Sequence, residues 1–376
     1  MSQLSRHSRC LLALAAGLAA LSSAACSSAG DATASSDVRD DDVIGGVDAK
    51  SAKLDAVGSL VLDANGVKTA FCTGTLIAPT VVLTAKHCTV QPPADGSLPT
   101  SGQLFTQLGT VSFAIGSDSA APKREVKATG IEWATLNVGG IGYGADVAAY
   151  ILSEPITDIA PLPVAAADLG DGDKGKAFVA MGYGVRDRAQ SAGLRTMGNI
   201  TLSALEGQPY ALAFGTYDAY VASVVNGVGR PLTAEEEPQF KAVYEQPLLS
   251  GHEAFFAHKD GDAQVCSGDS GGPLLRKVDG KLTVFGVASW VPSKVEKDPC
   301  SRGAVYAVFG PTPRAMINDL LGTACGDVPV AGRCEGAVAV RCVSNVEGTP
   351  RITRTNCDDV DQACQLVDGK AACVDP

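Results

Sequence analysis

The stretch Cys266-Ser267-Gly268-Asp269-Ser270-Gly271-Gly272-Pro273-Leu274 places a hydroxyl in a glycine-rich turn directly ahead of an apolar run. Glycine has no Cβ, so such a turn folds tightly and its backbone N–H groups can be aimed at one point. On this reading Ser270 is a nucleophile, and the amides of Gly268 and Ser270 are the donors for an oxyanion. A bare Gly-x-Ser-x-Gly would serve equally well as an ordinary loop before a strand. The full run is far more restrictive.

A serine hydroxyl is a weak nucleophile until a positioned imidazole takes its proton. The chain has only 4 histidines, so the search is short. His7 belongs to the N-terminal leader, and His252 and His258 fall in a polar insertion. His87 sits in Val82-Leu83-Thr84-Ala85-Lys86-His87-Cys88, downstream of Phe71-Cys72-Thr73-Gly74-Thr75-Leu76-Ile77, where Cys72 and Cys88 can pair and fix its turn. The imidazole needs a carboxylate to set its tautomer and stabilise its positive form. Asp146 enters the apolar strand Val147-Ala148-Ala149-Tyr150-Ile151-Leu152, where a carboxylate is costly to bury without a partner. Alone, His87 or Asp146 would pass for a turn residue, so their order along the chain decides.

With the order His87, Asp146, Ser270, the chain resembles the trypsin/chymotrypsin family of serine proteases from about Val43 to Leu321. The subtilisin and α/β-hydrolase orders differ. Ile44-Gly45-Gly46 resembles the start of the mature family enzyme, Gly182-Tyr183-Gly184 its Gly-Trp-Gly, and Ser289-Trp290 the strand that lines the substrate cleft. The resemblance implies an all-β fold of two six-stranded Greek-key barrels with a C-terminal helix. It also implies that Ser289 supports Asp146, that Cys266 pairs with Cys300 beside the specificity pocket, and that a freed Val43 amine pairs with Asp269. Gln264 falls at the pocket base where trypsin-like enzymes have Asp, and Val291 and Ala304 stand where open pockets have Gly. Small or medium uncharged P1 residues are therefore expected. Two departures stand out: Lys86 replaces the small residue usual before the catalytic His, placing a charge near the triad, and Asp42 replaces the basic residue usual before the activation cut.

The rest of the sequence supplies the context. Arg6, His7 and Arg9, the apolar run from Cys10 to Leu21 and the small residues to Cys26 read as a secretory signal over residues 1–26, too short in its apolar part for a stable span. Ala24-Ala25-Cys26 resembles the end of a bacterial lipobox, so a lipid on Cys26 and anchoring at the cell envelope form the alternative to plain secretion. Residues 27–42, rich in Ser, Ala and Asp, read as a solvated leader. Without Cys10 and Cys26 an even set of ten cysteines remains, as disulfides in an oxidising compartment require. No spacing is Cys-x-x-Cys, so no metal is expected.

Hydrophobic residues make up 45% of the chain and charged ones 19%, which suits a turn-rich globular protein and excludes wholesale disorder. A net charge of -11 without a Lys/Arg cluster excludes nucleic acid as a partner. Short apolar runs between turn signals (Val57 to Leu62, Thr73 to Ala78, Val81 to Thr84, Val147 to Leu152, Ala177 to Met181, Leu282 to Ala288) predict many strands. A helix is predicted over Pro313 to Leu321, with Ala315, Ile317, Leu320 and Leu321 on one face. Thr89 to Gln103 and Ala204 to Asp262 read as surface insertions, the second with Thr233 capping an acidic turn before Pro238. These boundaries give a protease domain over residues 43–322. Residues 323–376, with six cysteines, read as a separate module held by disulfides and dispensable for chemistry.

The sequence thus predicts an exported serine endopeptidase acting on protein or peptide substrates through an acyl-enzyme, without a cofactor. An activating protease and a protein inhibitor are the expected partner proteins. The competing reading is a binding protein on an inactive protease fold, which would normally have lost the triad.

Overall fold

The computed structural model describes residues 46–90, 104–134, 145–186, 191–257, 261–292, 300–321, 328–329, 331–344 and 350–375. The two-residue strand β1 (Val47–Asp48) leads into six strands that close a barrel: β2 (Val57–Ala64), β3 (Val67–Ala78), β4 (Val81–Thr84), β5 (Thr110–Ile115), β6 (Arg124–Trp133) and β7 (Ala148–Leu152), in the order β2-β3-β4-β7-β6-β5. Asn65 and Gly66, with φ of 55° and 82°, form the tight turn between β2 and β3, where positive φ at both positions matches the twist of the flanking strands. The short helix α1 (Phe105–Leu108) precedes β5. Strands β4 and β7 are buried along their whole length, which is why they read as unbroken apolar runs.

The second barrel is built from β8 (Ala177–Gly182), β9 (Thr196–Ala204), β10 (Glu253–Ala257), β11 (Pro273–Val278), β12 (Lys281–Trp290) and β13 (Ala304–Val308). Their order is β9-β10-β13-β12-β11-β8; β8 also pairs with β9 and closes the ring, and β1 adds to β9 from outside. The largest core cluster joins the two barrels, with Leu60, Leu76 and Tyr150 from the first and Leu275, Val284 and Val287 from the second.

Between β9 and β10 the chain forms three helices, α2 (Pro209–Phe214), α3 (Tyr217–Val228) and α4 (Glu237–Glu245). They pack through rings: Tyr220 lies 5.1 Å from Tyr210, 5.5 Å from Phe214 and 5.6 Å from Tyr244 between centroids. Thr233 does cap a turn, its hydroxyl accepting from the Glu236 amide at 3.3 Å, but the turn leads into α4 instead of ending before Pro238. Proline is tolerated in a first helical turn because its missing N–H would have no intrahelical partner there.

The closing helix α5 spans Pro311–Leu321 and buries Pro313, Met316, Ile317 and Leu320. Ala315 and Leu321, expected on the inner face, are exposed. The buried set has the spacing i, i+3, i+4, i+7, which is the helical stripe the other choice missed.

The Cys-rich segment forms β14 (Arg333–Glu335), β15 (Val338–Ser344), β16 (Pro350–Asn356), a 3₁₀ turn at Cys357–Val360, β17 (Ala363–Val367) and β18 (Lys370–Val374). Disulfides join Cys334 to Cys364 and Cys357 to Cys373, and Cys342 is also disulfide-bonded. The segment, expected as a separate module held by disulfides, packs against the first barrel and the closing helix. Strand β16 lies against α5 and β6, Arg354 pairs with Asp319 of α5, and Val360 packs on the cluster of Val90, Trp133 and Ala148. Among the described residues no helix is long and apolar enough to cross a membrane.

Candidate active site

His87 lies in a 3₁₀ turn, Lys86–Cys88, at the end of β4. The turn is fastened on both sides. Cys88 is bonded to Cys72 of β3, and its carbonyl accepts from Tyr150 Oη at 2.9 Å. The disulfide sulfurs lie within 4.8 Å of a ring nitrogen of His87, but being joined to each other they are not available as thiolate ligands. Asp146, immediately before β7, holds the histidine twice: its Oδ1 accepts from the His87 amide at 2.9 Å, and its Oδ2 from His87 Nδ1 at 2.8 Å. Ser289 at the end of β12 donates to the same Oδ2 at 2.6 Å. Burial alone would push the Asp146 carboxyl up. The His87 ring, the Ser289 hydroxyl and the His87 amide outweigh it and hold the group below the usual carboxylate range. An ionised carboxylate on Nδ1 keeps the proton on that nitrogen and leaves Nε2 as the basic one.

The Ser270 loop is clamped to the segment that carries His87. Thr73 of β3 donates its amide to the Ser270 carbonyl at 2.8 Å and its hydroxyl to Gly268 O at 3.0 Å. Gly271 has φ of 77°, and a Cβ there would overlap Thr84 and Thr73, so only glycine allows the loop to press against the start of the His87 turn. On the other side Gly271 N donates to Ala288 O at 2.8 Å, one residue before Ser289. Ser270 is half-buried at the tip. The neighbouring amides of Asp269, Gly271 and Gly272 all donate to backbone carbonyls. Among the described residues those of Gly268 and Ser270 donate to none, and Gly268 takes the φ of 98° that turns its peptide.

Asp269 is buried between Gly182 and Gly184, where a Cβ on either glycine would strike its carboxyl. Its oxygens accept from Gly184 N at 2.8 Å and Cys266 N at 2.9 Å. Both donors are neutral, and burial pushes the carboxyl up to about 6. Val43, its expected partner, lies outside the described residues. Cys266 is joined to Cys300, and Val291 and Ala304 belong with them to one apolar cluster; Gln264 is half-buried beside it. Tyr210 of α2 packs on Trp290 with centroids 5.4 Å apart, so the helical insertion reaches the last residue of β12, next to Ser289.

Lys86, the charge expected near the triad, has a partner that the sequence did not reveal. Its ammonium is taken by Asp359 at 2.6 Å and lies 4.9 Å from the Trp133 ring centroid. Sequence reasoning also missed Thr73, visible only as part of a strand, and Arg195, whose side chain is fully buried at the mouth of β9. The only sequence signal for Arg195 was a charge directly ahead of a strand, which is too common to act on.

A family model described as Trypsin matches residues 43–208 and 224–317. The break at 209–223 falls within α2 and α3. A protein named Trypsin from Saccharopolyspora erythraea is 27% identical over 221 residues, 58% of this chain and 75% of that protein. With two closed barrels and His87, Asp146 and the Ser270 loop held at their junction, the chain belongs to the trypsin family of serine proteases.

Proposed function

We propose that the protein is an exported serine endopeptidase. Ser270 Oγ attacks the scissile carbonyl, His87 Nε2 takes its proton and returns it to the leaving amine, and water then resolves the acyl-enzyme by the same route. Asp146 orients the imidazole, and the amides of Gly268 and Ser270 hold the oxyanion. The observation that carries this reading is the chain of bonds from Ser289 through Asp146 to His87, set against a Ser270 loop clasped by Thr73. The test is labelling of the mature protein with an aryl phosphonate. Modification at Ser270 that is lost in His87→Ala supports the reading; an unlabelled Ser270 would point to a binding protein on the same fold.

The apolar cluster of Val291, Ala304 and the Cys266–Cys300 disulfide beside Gln264 supports a pocket for small or medium uncharged P1 side chains. There is no carboxylate at position 264 to receive Lys or Arg. Profiling on a peptide library should give cleavage after such residues, and efficient cleavage after Arg would refute the assignment.

Activation by a cut between Asp42 and Val43 is part of the same reading, the new amine pairing with Asp269. The two neutral donors and the raised carboxyl of Asp269 support it, because an ionised buried carboxylate calls for a cation. A carboxyl at about 6 in the native state and 3.8 when unfolded binds more protons in the native state between those values. In the chain that keeps residues 27–42, stability should therefore fall as pH rises from about 4 to about 6, by roughly 3 kcal/mol. Urea melts at a series of pH values should show this slope, and Asp269→Asn should flatten it. A slope unchanged by the substitution would mean that another group titrates. The signal, residues 27–42 and Cys26 lie outside the described residues; secretion, with a lipid anchor as the alternative, remains part of the proposal, supported by the disulfides.

A further inference from the structure

The Lys86 ammonium and the Asp359 carboxylate are 2.6 Å apart with side chains only 6% and 4% exposed, and they join residues 273 positions apart. Lys86 is the residue before His87, and Asp359 belongs to the Cys-rich segment. A closed set of buried contacts surrounds the pair. Trp133 Nε1 donates to Thr89 Oγ1 at 2.8 Å, Thr89 Oγ1 donates to the Lys86 carbonyl at 2.6 Å, and the Trp133 ring faces the Lys86 ammonium. Val360, next to Asp359, packs on Trp133 and Val90. On its own side Asp359 is fixed by the neighbouring Cys357, which is fully buried, bonded to Cys373 and hydrogen-bonded through its amide to Ala337 O at 2.9 Å.

The turn that carries His87 is only three residues long, and its cap, Ala85, supplies no side-chain bond. Cys88 is held by the first barrel and His87 by Asp146, but the charge of Lys86 is matched from outside, by the Cys-rich segment. A buried ion pair adds little stability over a well-packed apolar pair of the same volume, whereas breaking one leaves an uncompensated charge that must move or lose its proton. Lys86 directly precedes His87 in this turn, so a rearrangement of the buried pair is transmitted through one peptide unit, and a shift of about 1 Å in a reacting group can cost on the order of 100-fold in rate.

We propose that Lys86 and Asp359 are a positioning pair, through which the disulfide-held C-terminal segment sets the place of His87 relative to Asp146 and Ser270. The segment is then part of the working enzyme, and the expectation that it is dispensable is reversed. The inference rests on the peptidase reading above. Because neither side chain meets substrate, its loss falls on the chemical step and not on binding.

The test uses the mature, full-length enzyme and a chromogenic peptide. Asp359→Asn is expected to lower kcat by about 10-fold to 100-fold with KM within about threefold of the parent. The double substitution Lys86→Met/Asp359→Leu, which removes both charges and fills the space, should recover kcat to within about threefold. A kcat for Asp359→Asn within about twofold of the parent, or a double variant as slow as the single one, overturns the proposal. If Asp359→Asn does not fold, Asp359→Glu decides. This change keeps the charge but lengthens the arm, so a kcat reduced about fivefold at unchanged KM supports positioning, and an unchanged kcat refutes it. A parent that neither turns over the peptide nor takes the phosphonate would refute the peptidase reading itself. An active parent with an unaltered Asp359→Asn refutes only the role of the pair.

Discussion

Ser270→Ala is expected to lower peptide hydrolysis by about 10⁴-fold or more with the fold intact, and His87→Ala to do the same, because the triad acts as a unit and either loss removes most of what the three provide. Their effects on stability should differ. Ser270 is half-buried and its backbone bond with Thr73 survives truncation, so the melting temperature of Ser270→Ala should stay close to that of the parent. His87→Ala removes the ring that does most to offset the burial of Asp146 and leaves that carboxylate with the Ser289 hydroxyl and one amide. The Asp146 carboxyl is held low in the native state, so its stabilising contribution is present above the unfolded value and lost as pH falls through the native one. His87→Ala should therefore lose stability at neutral pH and converge with the parent in acid. Asp146→Asn keeps the shape but no longer enforces the tautomer with Nε2 basic, and activity should fall by about 10⁴-fold, the magnitude known for such triads. Rates on a chromogenic peptide and thermal melts stepped from pH 7.5 down to well below the unfolded carboxylate value of 3.8 check both parts. Activity retained in Ser270→Ala or His87→Ala would end the assignment.

Arg195→Met is expected to be the most destabilising single change, by about 3–5 kcal/mol, a large share of the stability of an ordinary domain. The guanidinium is fully buried and uses every face. Nε donates to Ala49 O at 2.9 Å, Nη1 to Leu54 O at 3.0 Å and Val57 O at 2.9 Å, and Nη2 to Ser51 O at 2.9 Å and Asp55 Oδ1 at 3.0 Å. One side chain at the start of β9 thus gathers the segment after β1 and the entry to β2, on opposite barrels. Tyr183 Oη, with a single proton to give, lies between the same Val57 carbonyl, at 3.1 Å, and Gly116 O. Methionine fills much of the volume but leaves carbonyls unsatisfied, and among the described residues the Asp55 carboxylate would keep Lys123, at 2.7 Å, as its side-chain partner. Arg195→Lys should be little better, since an ammonium cannot reach acceptors spread around a planar fork. The shift in the urea midpoint measures the loss, and a change under about 1 kcal/mol would show the network to be redundant.

The spacing of the chain determined what depends on neighbours along it. The apolar runs of β4 and β7 mark buried strands, the glycines at 268, 271 and 272 mark a turn that only they can make, and the cysteines at 72 and 88 mark the ends of the segment that carries His87. Their order placed His87, Asp146 and Ser270 in one family, and the 2.8 Å bond between His87 and Asp146 lies where that order led. Near α5 the same reasoning chose the wrong neighbours, taking Ala315 and Leu321 for Pro313 and Met316, because a short helical window tolerates a rotation of its face. What only the tertiary structure decided is how charges are compensated. Lys86 read as a charge near the triad and is instead matched by Asp359, 273 residues away; Arg195 read as nothing and is matched by Asp55 and four carbonyls. A buried charge can be satisfied by any partner that folding brings within about 3 Å, so its identity leaves no periodicity in the sequence. The rings of α2 to α4 follow the same rule, since which of them meets Trp290 is set by how three short helices pack and not by any interval between residues.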